Sequence, residues 1–251
     1  MRLLLLCSLF LAGLIGAPAN IHAAEDKPAE GHAEQKDKVK LGADLTDDEI
    51  VNGLKEVLKK GTESAVAVLA RKDGYYKNPD VRIELPPAMS RVVKEMQSLD
   101  NMSLIETLEM RMNRMAEKVT PTVAGYFIVG VNQVKFDNPQ RILNGEGAAA
   151  TKYLKDKMSY GLVKAIRPKV KEAMQHSGVY RAYEDVIDEY RRIPFVPNVR
   201  GVYLEDYLVD RIMTAIFLYI ERSEVQVRIN PKKRPSELVN KLFTVKSEGQ
   251  Q

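Results

Sequence analysis

The sequence predicts an all-α fold: a single compact multi-helix domain of about eight helices, with no significant β-sheet. Three observations carry this expectation. Apolar residues recur at helical spacing through most of the chain. Capping boxes and Pro, Gly and Asn punctuation mark where helices start and stop. No segment gives a run of alternating strands bounded by turns. No fixed period recurs, so a repeat array is excluded.

The elements follow in order. Thr46-Asp47-Asp48-Glu49 is a capping box, with Thr46 at the N-cap and Glu49 at the third helical position. Behind it Ile50, Leu54, Val57, Leu58, Ala65, Val68 and Leu69 keep helical spacing, and Gly61 breaks that helix only mildly. Residues 73–87, DGYYKNPDVRIELPP, form an irregular link with a brief Val81/Ile83/Leu85 alternation. Pro86 and Pro87 open the next helix, whose apolar face is Met89, Val92, Val93 and Met96. Ser103-Leu104-Ile105-Glu106 reads as a second capping box, followed by Leu108, Met112, Met115 and Val119. Thr120-Pro121 is expected to end that helix and cap another running to about Val134. Asn138-Pro139 starts a short helical turn that stops at Asn144-Gly145. From Gly147 the pattern is helical to about Lys157, then from Ser159 to His176 with a bend at Pro168. A helix from Val179 to Arg192 precedes the Pro194–Pro197 loop. Leu204 to Ile229 is long and amphipathic, with Leu208, Ile212, Ala215, Ile216 and Tyr219 on one side, and Asn230-Pro231 stops it. Pro235 opens a last short helix through Phe243.

Arg2, the apolar run Leu3–Ile15 and the small residues Gly16, Ala17, Ala19, Ala23 and Ala24 have the pattern of a secretory signal peptide. The expected organisation is therefore a signal peptide over 1–24, a disordered charged leader over 25–43, an all-α domain over 44–245 and a disordered tail over 246–251. Cleavage after Ala19 or Ala23 fits equally. The expected location is periplasmic or secreted, with no transmembrane segment in the mature chain. Cys7 is the only cysteine and lies in the signal region, so disulfides and thiol chemistry are not expected of the mature chain. The net charge of +4 comes from 38 basic and 34 acidic residues with interleaved signs. That argues against a nucleic-acid partner. Lys232-Lys233-Arg234, between two prolines, reads as a solvated loop.

In NGEGAAATK, residues 144–152, Gly145, Gly147 and Ala150 fit the relaxed dinucleotide fingerprint. The context does not. A helical turn precedes the loop where a buried strand is needed, and no Gly precedes Lys152 as a phosphate-binding loop would require. No cofactor is expected. Gly145 is expected to end one helix in a left-handed conformation, and Gly147 with Ala148–Ala150 to let the next begin close to its neighbours.

Glu109, Asn113 and Glu117 stand at i, i+4 and i+8 and line one helix face. Paired carboxylates can do acid–base work or hold a hard cation. Arg111 and Arg114 on the same helix can neutralise them instead, and a buried hydrogen-bond network fixing helix register is a third reading. Arg228 can pair with Glu224 four residues earlier, and its reach to the Glu109/Glu117 face is left open. His176 is the only histidine of the expected mature fold and sits in the last turn of its helix, where a cation suits the dipole. No Ser-His-Asp order and no His-x-x-x-His pair exists, so no catalytic triad and no metal site is expected.

ILNGEGAAATKY, taken with LEMRMNRMAE (Leu108–Glu117), IRPKV (Ile166–Val170), IPFVP (Ile193–Pro197) and VRINP (Val227–Pro231), resembles a bacterial exported family, domain-of-unknown-function family 4197. The resemblance spans about Leu45 to Phe243. It implies a helical, exported, single-domain protein and implies no activity. The chain departs from the family pattern at Asn138-Pro139 after Asp137, where the pattern has Ala, and at Ala215, where it has Gly.

The leading functional expectation is an exported soluble helical protein that binds a protein partner or a small amphiphile. One alternative is an enzyme or metal-dependent site built on Glu109 and Glu117. Another is a structural envelope protein. An amphiphile binder predicts an apolar cavity between helices. An enzyme predicts a concave site holding its carboxylates.

Overall fold

The structure is a computed structural model and describes residues 40–245. The expected signal peptide, most of the expected leader and the expected tail lie outside the described residues. Within them the chain is all-α, with eight α-helices, two short 3-10 turns and no strand. The four long helices are α1 (Asp47–Leu69), α3 (Met102–Gln133), α5 (Ala149–Ser177) and α7 (Leu204–Ile229). Shorter helices occupy the connections: α2 (Ser90–Ser98), α4 (Pro139–Leu143) and α6 (Val179–Arg191), with α8 (Glu237–Phe243) at the end.

The long helices form an up-down-up-down bundle. Lys55 of α1 donates to the Asn132 carbonyl near the end of α3, so these two run antiparallel. Gly130 of α3 faces Leu162 and Met158 of α5, while Arg111 reaches the Ser177 carbonyl. Glu224 of α7 meets Ala150 and Thr151 at the start of α5, while Lys171 of α5 meets Glu205 at the start of α7. The core runs along the bundle axis through Leu54, Leu58, Met112, Phe127, Ile166, Ile212, Ile216 and Ile220, all fully buried. Phe127 and Phe217 meet edge to face at 4.9 Å.

Thr46 caps α1 as the sequence predicts: its hydroxyl accepts from the Glu49 N–H and the Glu49 carboxylate accepts from the Thr46 N–H. Gly61 has a packing reason. A Cβ there would lie 3.0–3.2 Å from the side chain and backbone of Ile220, so glycine sets how closely α1 approaches α7.

Several boundaries differ from the sequence reading. Residues 102–133 form one helix through Pro121, not two. Proline removes one N–H and costs about 3 kcal/mol in a helix interior. Buried Met112, Met115 and Val119 before it, and Val123, Phe127 and Val131 after it, hold both halves in the same bundle layer. Ser103 does not cap this helix; Asn101 occupies the N-cap position without a side-chain bond. Residues 149–177 likewise form one helix, with no interruption between Lys157 and Ser159. The left-handed glycine of the loop before α5 is Gly147, not Gly145. Gly145 is required for a different reason, since a Cβ there would sit 2.7 Å from that of Ala149. Chain packing also begins earlier than Asp44: the Leu41 N–H donates to the Asn144 side chain, and Gln140 donates to the Gly42 carbonyl.

Gly74 gives a first prediction. A Cβ on it would stand 2.5 Å from the carbonyl oxygens of both Val68 and Leu69. Those atoms belong to the end of α1 and cannot move as a side chain can. Gly74→Ala is expected to cost roughly 1–3 kcal/mol, read as a lower urea midpoint with unchanged helix content.

Candidate functional site

Glu109, Asn113 and Glu117 project from α3 onto the irregular link, and each holds a piece of its backbone. One Glu117 oxygen accepts from the N–H groups of Tyr75 and Tyr76, both at 3.2 Å. The other accepts from Arg114 at 2.8 Å, and Arg114 continues to Asp73 at 2.6 Å. Asn113 is fully buried and pairs with Ile83 at both ends of its amide: the oxygen accepts the Ile83 N–H at 2.9 Å, and the NH₂ donates to the Ile83 carbonyl at 2.7 Å. Glu109 accepts from Arg82 at 2.8 Å and from the Leu85 N–H at 3.3 Å. The i, i+4, i+8 stripe thus does for an extended segment what a neighbouring strand would do. Arg82 and Arg114 flank the Tyr76 ring, 4.8 and 5.2 Å from its centre. The arginine beside Asp73 holds its carboxyl below the ordinary range.

Arg228 does not join this stripe. It lies at the opposite end of the bundle, where Glu224 and Arg228 clamp the NGEGAAATK loop. Glu224 is fully buried and accepts five bonds: from the N–H groups of Ala150 and Thr151, from the Thr151 hydroxyl, and from two nitrogens of Arg228. Two of these satisfy N–H groups in the first turn of α5, whose own N-cap residue, Ala148, offers no side-chain bond. Arg228 donates to the carbonyls of Ile142, Leu143 and Gly145, at and just beyond the end of α4, and packs 5.0 Å over the Phe243 ring. One ion pair on α7 therefore caps two helices at once. The glycine motif serves this turn, and the N–H groups of Ala150 and Thr151 that follow it point at a carboxylate of the chain itself.

A concave surface lies elsewhere. A groove of about 420 Å³ runs between the antiparallel α3 and α5. Its floor is Met115, Val119 and Ala173, and Lys118, Thr122, Lys169 and His176 stand along it. Lys169 bridges to Glu172 at 3.0 Å, and this contact lowers the Glu172 carboxyl and raises the Lys169 ammonium from their ordinary values. His176 Nδ1 sits 2.8 Å from the Glu172 carbonyl, the contact expected at a helix C-terminus. Lys118 makes no ion pair among the described residues. None of Glu109, Asn113, Glu117 and Arg228 lines this groove. Among the described residues no three His, Asp or Glu side chains gather as a metal site, and no helix is long and apolar enough to cross a membrane.

Sequence reasoning finds the polar stripe and the Glu224–Arg228 pair by spacing. It misses Lys118, Thr122 and Lys169, which line one groove only because α3 packs against α5. No curated protein and no solved structure matches the chain. A family model does, over residues 44–244. The chain belongs to DUF4197, a family described as protein of unknown function.

Proposed function

We propose that this chain is an exported, non-catalytic binding protein whose ligand is a small anionic amphiphile seated between α3 and α5. The groove carries the reading. Its volume of about 420 Å³ falls within the roughly 300–1,000 Å³ typical of small-molecule sites. Its floor is apolar, and Lys118 from α3 and Lys169 from α5 bring two cations to it against a single acid, Glu172, which bridges to Lys169. A short acyl tail on Met115, Val119 and Ala173 with an anionic head at Lys118 satisfies both halves. The carboxylates that an enzyme would need are bound to backbone N–H groups and arginines instead, which favours binding over catalysis at the α3 stripe.

The test is displacement of 11-dansylaminoundecanoate by laurate. The expected result is saturable binding that Lys118→Glu with Lys169→Glu weakens by about tenfold or more, since reversed charges oppose an anionic head. Ala173→Trp should abolish binding with the charges intact. Unchanged binding in both variants contradicts the assignment, as does tighter binding of a cationic amphiphile such as dodecyltrimethylammonium.

A further inference from the structure

A second cleft, of about 310 Å³, opens between the first turns of α6 and the start of α7. It is lined by Tyr180, Tyr183, Val202, Tyr203, Leu204, Glu205 and Asp206. Three of the chain's 11 tyrosines thus converge on one concave surface, in a chain that has no tryptophan. Tyr203 is 74% exposed although Val202 and Leu204 beside it are half-buried and buried. The hydroxyls of Tyr183 and Tyr203 have no hydrogen-bond partner among the described residues. The third hydroxyl, on Tyr180, donates to Glu205 at 2.6 Å; burial and this bond push its ionisation up to about 12, so it remains a donor.

Charge balance decides what such a cleft recognises. Tyrosine rings beside carboxylates would suit an organic cation if the carboxylates were unpaired. Here they are paired: Lys171 lies 3.3 Å from Glu205, and Arg167 contacts Asp206. The cleft therefore presents aromatic surface, unpartnered phenol hydroxyls, and the Glu205 and Asp206 carboxylates, each neutralised by a cation from α5. That combination matches a ligand with an apolar C–H face and a rim of neutral hydroxyls.

We propose that the Tyr180–Tyr183–Tyr203 cleft is a carbohydrate site, taking a neutral sugar ring whose C–H face lies on a tyrosine and whose hydroxyls bond to the free phenols and to the Glu205–Lys171 and Asp206–Arg167 pairs. The site is separate from the α3/α5 groove: its residues do not line that groove, and the two assignments stand or fall independently.

Saturation-transfer NMR on the mature chain, with maltotriose, lactose and the N-acetylglucosamine trimer as probes, tests this. At least one saccharide is expected to receive saturation at its ring protons. Tyr203→Ala should weaken that binding roughly tenfold, the scale of one lost aromatic contact. Tyr183→Phe, which removes only the hydroxyl, should weaken it severalfold. Tyr203 is mostly exposed, so its loss should leave the circular dichroism spectrum unchanged, and Tyr183→Phe keeps the ring. The Lys118→Glu, Lys169→Glu variant should bind the sugar normally. No transfer to any of the three saccharides overturns the proposal. Binding of tetramethylammonium in their place overturns it in favour of a cation cage, and sugar binding that ignores both tyrosine changes removes it from this cleft.

Discussion

Glu224→Gln is expected to destabilise the chain by about 3–5 kcal/mol, although it changes one oxygen to an NH₂ group. The buried carboxylate accepts five bonds, and the substitution turns one end of it into a donor facing N–H groups and a guanidinium. Arg228 is then left as a buried cation without its counter-charge, the circumstance in which breaking a buried pair is most costly. Arg228→Met should cost a similar amount by leaving Glu224 unpaired and uncapping α4. The double variant Glu224→Gln, Arg228→Met should be less damaging than the sum of the singles, because each single includes the penalty of the stranded partner. Urea denaturation of the four proteins of this cycle measures the coupling. Additive effects would show that the pair does not act as a unit.

Asn113→Ala is expected to cost about 3 kcal/mol. It leaves the N–H and C=O of Ile83 without their partner, at roughly 1–3 kcal/mol for each buried group, and opens a cavity under the link. Asn113→Asp should be no better. It retains an acceptor for the Ile83 N–H but sets a negative charge against the carbonyls of Ile83 and Glu109, which the native NH₂ group satisfies. The effect should be local first. Hydrogen exchange of the Ile83 and Leu85 amides should accelerate more than exchange in α5 or α7. Uniform acceleration across the bundle would mean that the link does not open as a separate unit.

The sequence was most legible where a residue's partner lies within one or two helical turns. The Thr46–Glu49 capping box and the Glu224–Arg228 pair are of this kind, and both form. The stripe Glu109, Asn113, Glu117 was legible as a face, but not as a clamp, because its partners lie 24 to 42 residues away in a segment without secondary structure. Pro121 misled for a physical reason. A local rule predicts a break, and apolar burial on both sides of the proline outweighs it. Ser103 misled for the converse reason: its motif is right, but the helix starts one residue before it. The glycine loop needed its context to be read, and even then the left-handed position fell on Gly147. Both clefts were illegible because they exist only between elements: Lys118 and Lys169 line one groove from 51 positions apart, and Tyr180 and Tyr203 line one cleft from 23 apart.

The central claim is that the α3/α5 groove holds a small anionic amphiphile, and native mass spectrometry of the gently purified chain tests it most directly. The account predicts a reproducible extra mass that disappears on denaturation, identifies as an acidic amphiphile, and is absent from the Ala173→Trp variant. An extra mass that persists in that variant, or a clean apo mass for a wild-type chain that also fails to take up added laurate, would contradict it.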